Sequence, residues 1–351
     1  MGSPETPVTP QRRTGRIRTM MAGYTRFGRQ SFRQPALTVP MAPTNQRLLI
    51  TGGAGFIGSH LAEALVGSNE VVIFDDLSRG NRAAVPSGAS FVQGDIRVGP
   101  LVEKHVVDAD LVYHLASLVS VERSIANPMT CHSVIGDGTL NVLEAARDSG
   151  TRVILASSAA VYGHPETVPI TETAPKRPPS PYGLEKLTVD RYARLYTDLY
   201  DLDTVVLRYF NVYGPGQPGG DYSGVITTFF EQARADEPIT VHGDGTQTRD
   251  FIHVDDVVRA NLAAAETEAT GEAFNVGTGL GTSIRDLART IHELVDSESN
   301  IVHTDPRPGD IEHSKADIEK AVDYLDYRAE IDIEDGLKTL RDHRQPPREP
   351  R

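Results

Sequence analysis

A chain of 351 residues is long enough to bury the core of one large α/β domain or two smaller ones, which excludes a stapled mini-protein. The single cysteine, Cys131, excludes an internal disulfide, and no run approaches the roughly 20 apolar residues that span a bilayer, so the expectation is a cytoplasmic protein with no membrane partner. Residues 1–45 hold seven Arg and one acid, Glu5, which leaves 28 basic against 47 acidic residues and a formal charge of −19 on the remainder, the wrong sign for a nucleic-acid footprint.

Only six of the 35 basic residues are Lys, and an acidic, Lys-poor surface predicts a halophilic protein. The first 45 residues are rich in Arg, Pro, Thr and Gly and show no sustained period of 3.6 or 2, so they read as a disordered basic extension. They lack the apolar segment of a secretory signal, and Met41, just before the first strand, is an alternative start.

RLLITGGAGFIGSH (47–60) then runs from an apolar strand through a glycine-rich turn into a helix. Gly52 serves the tight turn, Gly55 the approach of a pyrophosphate to the backbone, and Gly58 the packing of helix on strand. The helix opens at Phe56 and Ile57, whose free N–H groups and the helix dipole favour phosphate. Such a turn alone is weak, since ordinary turns look alike, but the next strand adds to it. VVIFDD ends in Asp75 and Asp76, about 20 residues on, where a carboxylate accepts from the adenosine ribose and repels a 2′-phosphate. NAD is therefore expected over NADP, with Arg79 and Arg82 nearby as the counterargument.

Three more strand-like runs end at Asp95, Ser117 and Ser158, separated by helical patterns such as TLNVLEAARDSG. Alternation of strand and helix predicts a doubly wound parallel sheet, a Rossmann fold, with ligands beyond the carboxyl ends of the strands. Asp95, Ile96, Leu115, Ala116 and Ser117 then fall beside the cofactor.

Further on, SPYGLEKLTVDRYARLY places Tyr182 and Lys186 four apart on one helix face. A nearby ammonium would lower the pKa of the phenol and make it a usable base, and Ser158 can hydrogen-bond the same substrate oxygen. Alone, Tyr and Lys at this spacing are more often a solvated face; the fingerprint and Ser158 upstream reverse that judgement.

With TGGAGFIG, SSAAVYG, PYGLEK, LRYFNVYGP, TRDFIHVDD, NVGTG and RPGDIEHS in order, the chain resembles the extended short-chain dehydrogenase/reductase family, and within it the UDP-sugar 4-epimerases, over about residues 47–340. The resemblance implies that Ser158, Tyr182 and Lys186 are catalytic and that Tyr209 and Val212 lie near the nicotinamide. It also implies Asn211, Val225 and Phe251 near the nucleotide sugar, Arg249 and Arg307 on its diphosphate and Asp310 on its ribose. Two arginines on a diphosphate make chemical sense in an acidic protein. The plain alternative is a surface pair of Arg249 with Asp250, or of Arg307 with Asp310. A His followed by two acids, as at His253, reads as a satisfied turn. One departure from the family is Ile135, where an Asn usually precedes Gly138 and Thr139.

The resemblance also separates reactions. Related 4,6-dehydratases place an Asp and a Glu after the catalytic hydroxyl, and UDP-glucuronate decarboxylases a Glu, whereas here Ala159 and Ala160 cannot move protons. What remains is oxidation and re-reduction at C4, which keeps NAD bound. Ser314 is small where some epimerases carry an aromatic, so the N-acetylhexosamine pair is expected beside UDP-glucose and UDP-galactose. The alternatives are a UDP-glucuronate 4-epimerase, a nucleotide-sugar dehydrogenase or reductase, and a non-catalytic dinucleotide-binding protein. No metal is expected, and the resemblance implies a homodimer. The expected division is a NAD-binding part over 46–215 plus 246–264, a smaller α/β substrate-binding domain over 216–245 plus 265–343, and a tail over 344–351.

Overall fold

The apolar runs read as strands line up side by side in one parallel sheet. The computed structural model describes residues 42–219, 224–307 and 309–343. The extension expected over 1–45 lies outside these but for its last four residues, and the tail over 344–351 lies outside them altogether.

The chain begins with β1 (Arg47–Thr51), α1 (Phe56–Leu65), β2 (Glu70–Asp75), β3 (Ser90–Gln93), α2 (Gly99–Val106) and β4 (Leu111–His114). Two short helices, α3 (Val121–Ala126) and α4 (Pro128–His132), lead through a π-helical turn at Ser133–Asp137 into α5 (Gly138–Ser149). Next come β5 (Arg152–Ser158), α6 (Pro181–Tyr200), β6 (Thr204–Tyr209), β7 (Asn211–Tyr213), α7 (Val225–Arg234), β8 (Ile239–His242), β9 (Thr248–Arg249) and β10 (Phe251–His253). The remainder comprises α8 (Val254–Glu266), β11 (Glu272–Val276), β12 (Thr282–Ser283), α9 (Ile284–Leu294), β13 (Ile301–Thr304), α10 (Glu319–Leu325) and α11 (Ile333–Asp342).

Seven strands form the central sheet in the order β11, β6, β5, β4, β1, β2, β3, all parallel. The order runs outward from β1 in both directions, which opens a crevice beyond the carboxyl ends of β1 and β4. Both faces are covered, so the strands are continuous apolar runs whose alternate residues enter different cores. Leu48 and Ile50 join α1, α8 and α10 in one core, and Leu49 joins α2, α5 and α6 in the other. A third core gathers Phe229, Ile239, Val241, Leu287 and Leu337 from the smaller α/β part, where β8 pairs with β13 and β9 with β12.

The chain re-enters the central sheet once more than the sequence reading has it. Glu272–Val276 pairs with β6 although it falls in the stretch expected to serve the substrate side. At five residues it is too short to declare a period.

Helix α6 has clear local causes. Ser180 caps it by accepting from Gly183 N at 3.2 Å, Pro181 occupies its first turn, and Asp201 ends it in the left-handed conformation. Its inner face buries Lys186, Val189, Asp190 and Ala193, while Leu184, Leu195 and Leu199 are exposed. Among the described residues no helix is long and apolar enough to cross a membrane.

Candidate active site

At the head of β1 the glycine turn has the form its sequence predicts. Gly52 has φ +71°, and a Cβ there would meet the Ala116 backbone at 2.7 Å. A Cβ on Gly58 would come within 2.3 Å of the Gly52 carbonyl, so helix and turn touch backbone to backbone. On Gly55 a Cβ would meet only the Gly52 carbonyl, at 3.1 Å, which leaves the space beyond it to a ligand. Gly55 caps α1 without a side-chain bond, so the N–H groups at Phe56 and Ile57 point outward. The Ser117 hydroxyl at the end of the β4 loop is buried without a hydrogen-bond partner. A bare helix N-terminus and a buried, unpartnered hydroxyl along one crevice fit the phosphates and ribose of a dinucleotide.

The acids expected beside the cofactor divide their work. Asp75 is buried and accepts from Ala54 N at 3.1 Å and Leu77 N at 2.8 Å, so it shapes the turn, and burial pushes its pKa up. Asp76 is exposed and caps Ser78 N at 2.8 Å. Asp95 is held by Arg97, whose Nε bonds both carboxylate oxygens at 2.9 Å and keeps its pKa below the usual range. Ile96 is buried against Gly138. Leu115 and Ala116 line up on β1 through backbone bonds to Thr51. Ile135 is buried in the π-helical turn and brings no polar group to the crevice.

Ser158 ends β5, its Oγ accepts from Ala160 N at 3.1 Å, and its hydroxyl lies near enough to the Tyr182 phenol to pull that group's pKa downward. Gly183 permits this approach, because a Cβ there would lie 2.8 Å from the Ala160 carbonyl. Lys186, only 5 % exposed, donates from Nζ to the Ala156 carbonyl at 2.7 Å, and burial brings its pKa down to about 8. The lowered phenol expected of Tyr182 is not found. Burial pushes its pKa up, the Ser158 hydroxyl pulls the other way, and the Lys186 ammonium is directed at Ala156.

Tyr209 and Val212 leave the end of β6 in succession. The Tyr209 hydroxyl donates to Asn261 Oδ1 at 2.9 Å inside the core, and Val212 pairs with Ile252. A cavity of about 460 Å³ opens beyond, bordered by Asn211, Val225, Arg249, Arg307 and Asp310, five of the substrate residues read from the sequence. Phe251 and Ser314 are buried and take no part in the lining. Arg249 pairs with Asp310 rather than with its neighbour Asp250.

Asp250, named from the sequence only as an alternative surface partner of Arg249, is a buried hub. Fully buried, it accepts from Thr278 N at 2.8 Å, Thr278 Oγ1 at 2.7 Å, Gly279 N at 3.0 Å and Ala316 N at 3.0 Å. No local pattern announces such a hub. The cavity also takes in Thr240, His242 and Gln247. Their signal was present, since β8 alternates buried Ile239 and Val241 with half-buried Thr240 and His242. His253 is the satisfied turn expected, accepting from Asp255 N at 3.3 Å and sharing a bond with Thr339 at 3.1 Å. Among the described residues no cluster of His, Cys, Asp and Glu is placed to hold a metal ion.

Sheet order, glycine turn and the Ser158–Tyr182 contact define a dinucleotide-dependent enzyme of the doubly wound α/β class. The chain belongs to the NAD dependent epimerase/dehydratase family, whose model matches residues 48–277, and its cofactor is NAD. It is 39% identical over 297 residues to a putative UDP-glucose 4-epimerase of Methanocaldococcus jannaschii, covering 84% of this chain and 96% of the relative. The UDP-glucose 4-epimerase of Thermotoga maritima, solved with UDP-glucose, superposes with a TM-score of 0.82 at 35% identity, over 85% of this chain and 98% of that one. The UDP-N-acetylglucosamine 4-epimerase of Methanobrevibacter ruminantium, in complex with UDP-N-acetylmuramic acid, gives 0.81 at 33%, over 86% and 99%. With UDP-sugar 4-epimerases as its relatives, the chain is an enzyme.

Proposed function

We propose that the protein inverts C4 of a UDP-hexose through a transient 4-keto sugar, acting on UDP-glucose and UDP-galactose and on the N-acetylhexosamine pair. The observation that carries this is Ser158 at the end of β5 with Tyr182 and Lys186 in the first turns of α6, Ser158 being followed along the chain by Ala159 and Ala160. The two positions after Ser158 thus carry no carboxyl for a second proton transfer.

Tyr182, in its phenolate form, takes the proton of the C4 hydroxyl and as the phenol later returns one to the same oxygen. Ser158 holds that oxygen, and Lys186, fixed to Ala156, keeps a positive charge beneath the pair. NAD, when bound, supplies the hydride acceptor and donor, with the residues of the 52–58 turn, Asp75, Asp76, Asp95, Ile96 and Leu115–Ser117 as its cradle. Arg249 and Arg307 anchor the diphosphate and Asp310 the ribose, so the keto sugar turns over without leaving and presents its other face. Ser314 does not itself line the cavity, and the support for the N-acetylated pair is its small size where some resembling epimerases carry an aromatic; Ser314→Tyr is expected to abolish turnover of the N-acetylated pair only, and equal loss for both pairs would refute the steric account.

The exposed apolar row on α6, with Ile125 and Met129 of the neighbouring short helices also exposed, supports a homodimer through this face. The acidic, Lys-poor composition supports adaptation to high salt.

The test is incubation of purified protein, without added cofactor, with UDP-glucose, UDP-galactose, their N-acetylated counterparts and UDP-glucuronate, followed by separation of C4 epimers. Net NADH with no epimer would instead mark a dehydrogenase, and inversion of UDP-glucuronate alone would mark the acid as substrate.

A further inference from the structure

Three motif residues have no role in the reading above: Tyr162 of SSAAVYG, Arg208 of LRYFNVYGP and Asn275 of NVGTG. All three are buried, and they meet. Arg208 makes a two-pronged bond to Asp190 on α6, Nε to Oδ2 at 2.7 Å and Nη2 to Oδ1 at 3.1 Å. Its Nη1 donates to the Tyr162 hydroxyl at 3.0 Å and to the Glu172 carbonyl at 3.1 Å. The Tyr162 hydroxyl donates in turn to Asn275 Oδ1 at 2.6 Å. Asn275 Nδ2 then donates to the carbonyls of Ile170 at 2.8 Å and Asp317 at 3.2 Å, while Glu172 Oε1 accepts from Asn275 N at 2.8 Å.

The two ends of this chain of bonds have different duties. Asp190 lies one helical step beyond Lys186 and two beyond Tyr182 on the inner face of α6. Asp317 closes the segment that begins at Asp310 and carries Ser314. That segment is tied to Ile170 by two further backbone bonds, from Ile170 N to Lys315 O at 2.8 Å and from Asp317 N to Ile170 O at 2.9 Å. Ala316 N is bound to Asp250, next to Arg249. The network therefore joins the helix that holds the phenol to the segment that holds the nucleotide. A buried, fully bonded polar network has one low-energy arrangement, because each partner is needed to offset the desolvation of the others.

We propose that Asp190, Arg208, Tyr162 and Asn275 are positioning residues that fix the spacing between segment 310–317 and Tyr182, so that both faces of a pivoting sugar come within reach of one phenol. The inference rests on the epimerase reading. A nucleotide anchor displaced relative to the phenol costs chemistry rather than nucleotide binding.

The test uses the NAD-loaded enzyme and two variants, Tyr162→Phe and Asn275→Ser, alone and combined. Each single variant is expected to lower kcat about tenfold or more. The affinity for UDP, measured by calorimetry, and the bound NAD content should stay at the wild-type level. Because both changes cut one chain, the double variant should be no slower than the slower single. If the wild type itself fails to epimerise, the function reading falls and this inference falls with it. Given an active wild type, the inference is overturned by an unchanged kcat in Tyr162→Phe, by additive losses in the double variant, or by UDP affinity, NAD content and kcat declining together in both singles.

Discussion

Arg249 and Asp310, 61 residues apart in the chain, form an ion pair at the cavity that Arg307 also borders. The Asp310 carboxylate thus holds the guanidinium proposed for a diphosphate, and a nucleotide bound there competes with it for Arg249. Burial pulls the Arg249 pKa down, but a guanidinium stays charged at any working pH. Arg249→Ala should weaken UDP binding by about 1.5–3 kcal/mol, the usual worth of a hydrogen bond to a charged group, with NAD content unchanged. Titration calorimetry with UDP checks this, and an unaltered affinity would remove Arg249 from the clamp.

Tyr182→Phe keeps the ring in place and deletes the group proposed to carry the proton. Turnover should fall by about 10²–10⁴, the range for a general base, while the fold and bound NAD are retained. Initial rates of C4 inversion on saturating UDP-sugar give the answer; a variant at half the wild-type rate would mean another group does the work.

His114 offers a pH test independent of catalysis. It is buried between Thr51 Oγ1 at 2.7 Å and Thr139 Oγ1 at 2.9 Å, and burial lowers its pKa from 6.5 to about 3. The folded state therefore binds fewer protons than the unfolded one between these values. The contribution is complete above 6.5 and is lost as the pH falls toward 3. Between pH 7 and 5 the wild type should lose about 2 kcal/mol more stability than His114→Gln. Urea unfolding at the two pH values measures the difference, and parallel losses would show that the imidazole is protonated in the fold.

Salt is the fourth handle. With −19 on residues 46–351, self-repulsion destabilises the folded state at low ionic strength. The screening length drops from about 10 Å at 0.1 M to about 3 Å at 1 M, so the melting temperature should climb across that range. A melting temperature that is flat in salt would remove the halophilic reading.

Much of this was legible in the chain because it is local. β5 ends at Ser158 as read, the glycine turn follows β1, and Tyr182 and Lys186 share one face of α6, since periods of 2 and 3.6 and turn chemistry act over a few residues. What stayed hidden joins distant residues. Asp250 entered only as the alternative surface partner of Arg249, and its carboxylate instead gathers Thr278, Gly279 and Ala316. The fate of Lys186 was hidden for a similar reason, because spacing shows that it faces Tyr182 but not that a carbonyl of β5 claims its ammonium. Phe251 and Ser314 were placed at the cavity through resemblance, and their burial depends on packing that no motif records.

Helix α6 is one continuous rod with Tyr182, the proposed base, toward its inner side and exposed leucines on its outer side. Whatever settles on those leucines presses on the same rod that aims Tyr182. The rate per molecule would then depend on how concentrated the protein is, and dilution becomes an experiment on catalysis as much as on assembly.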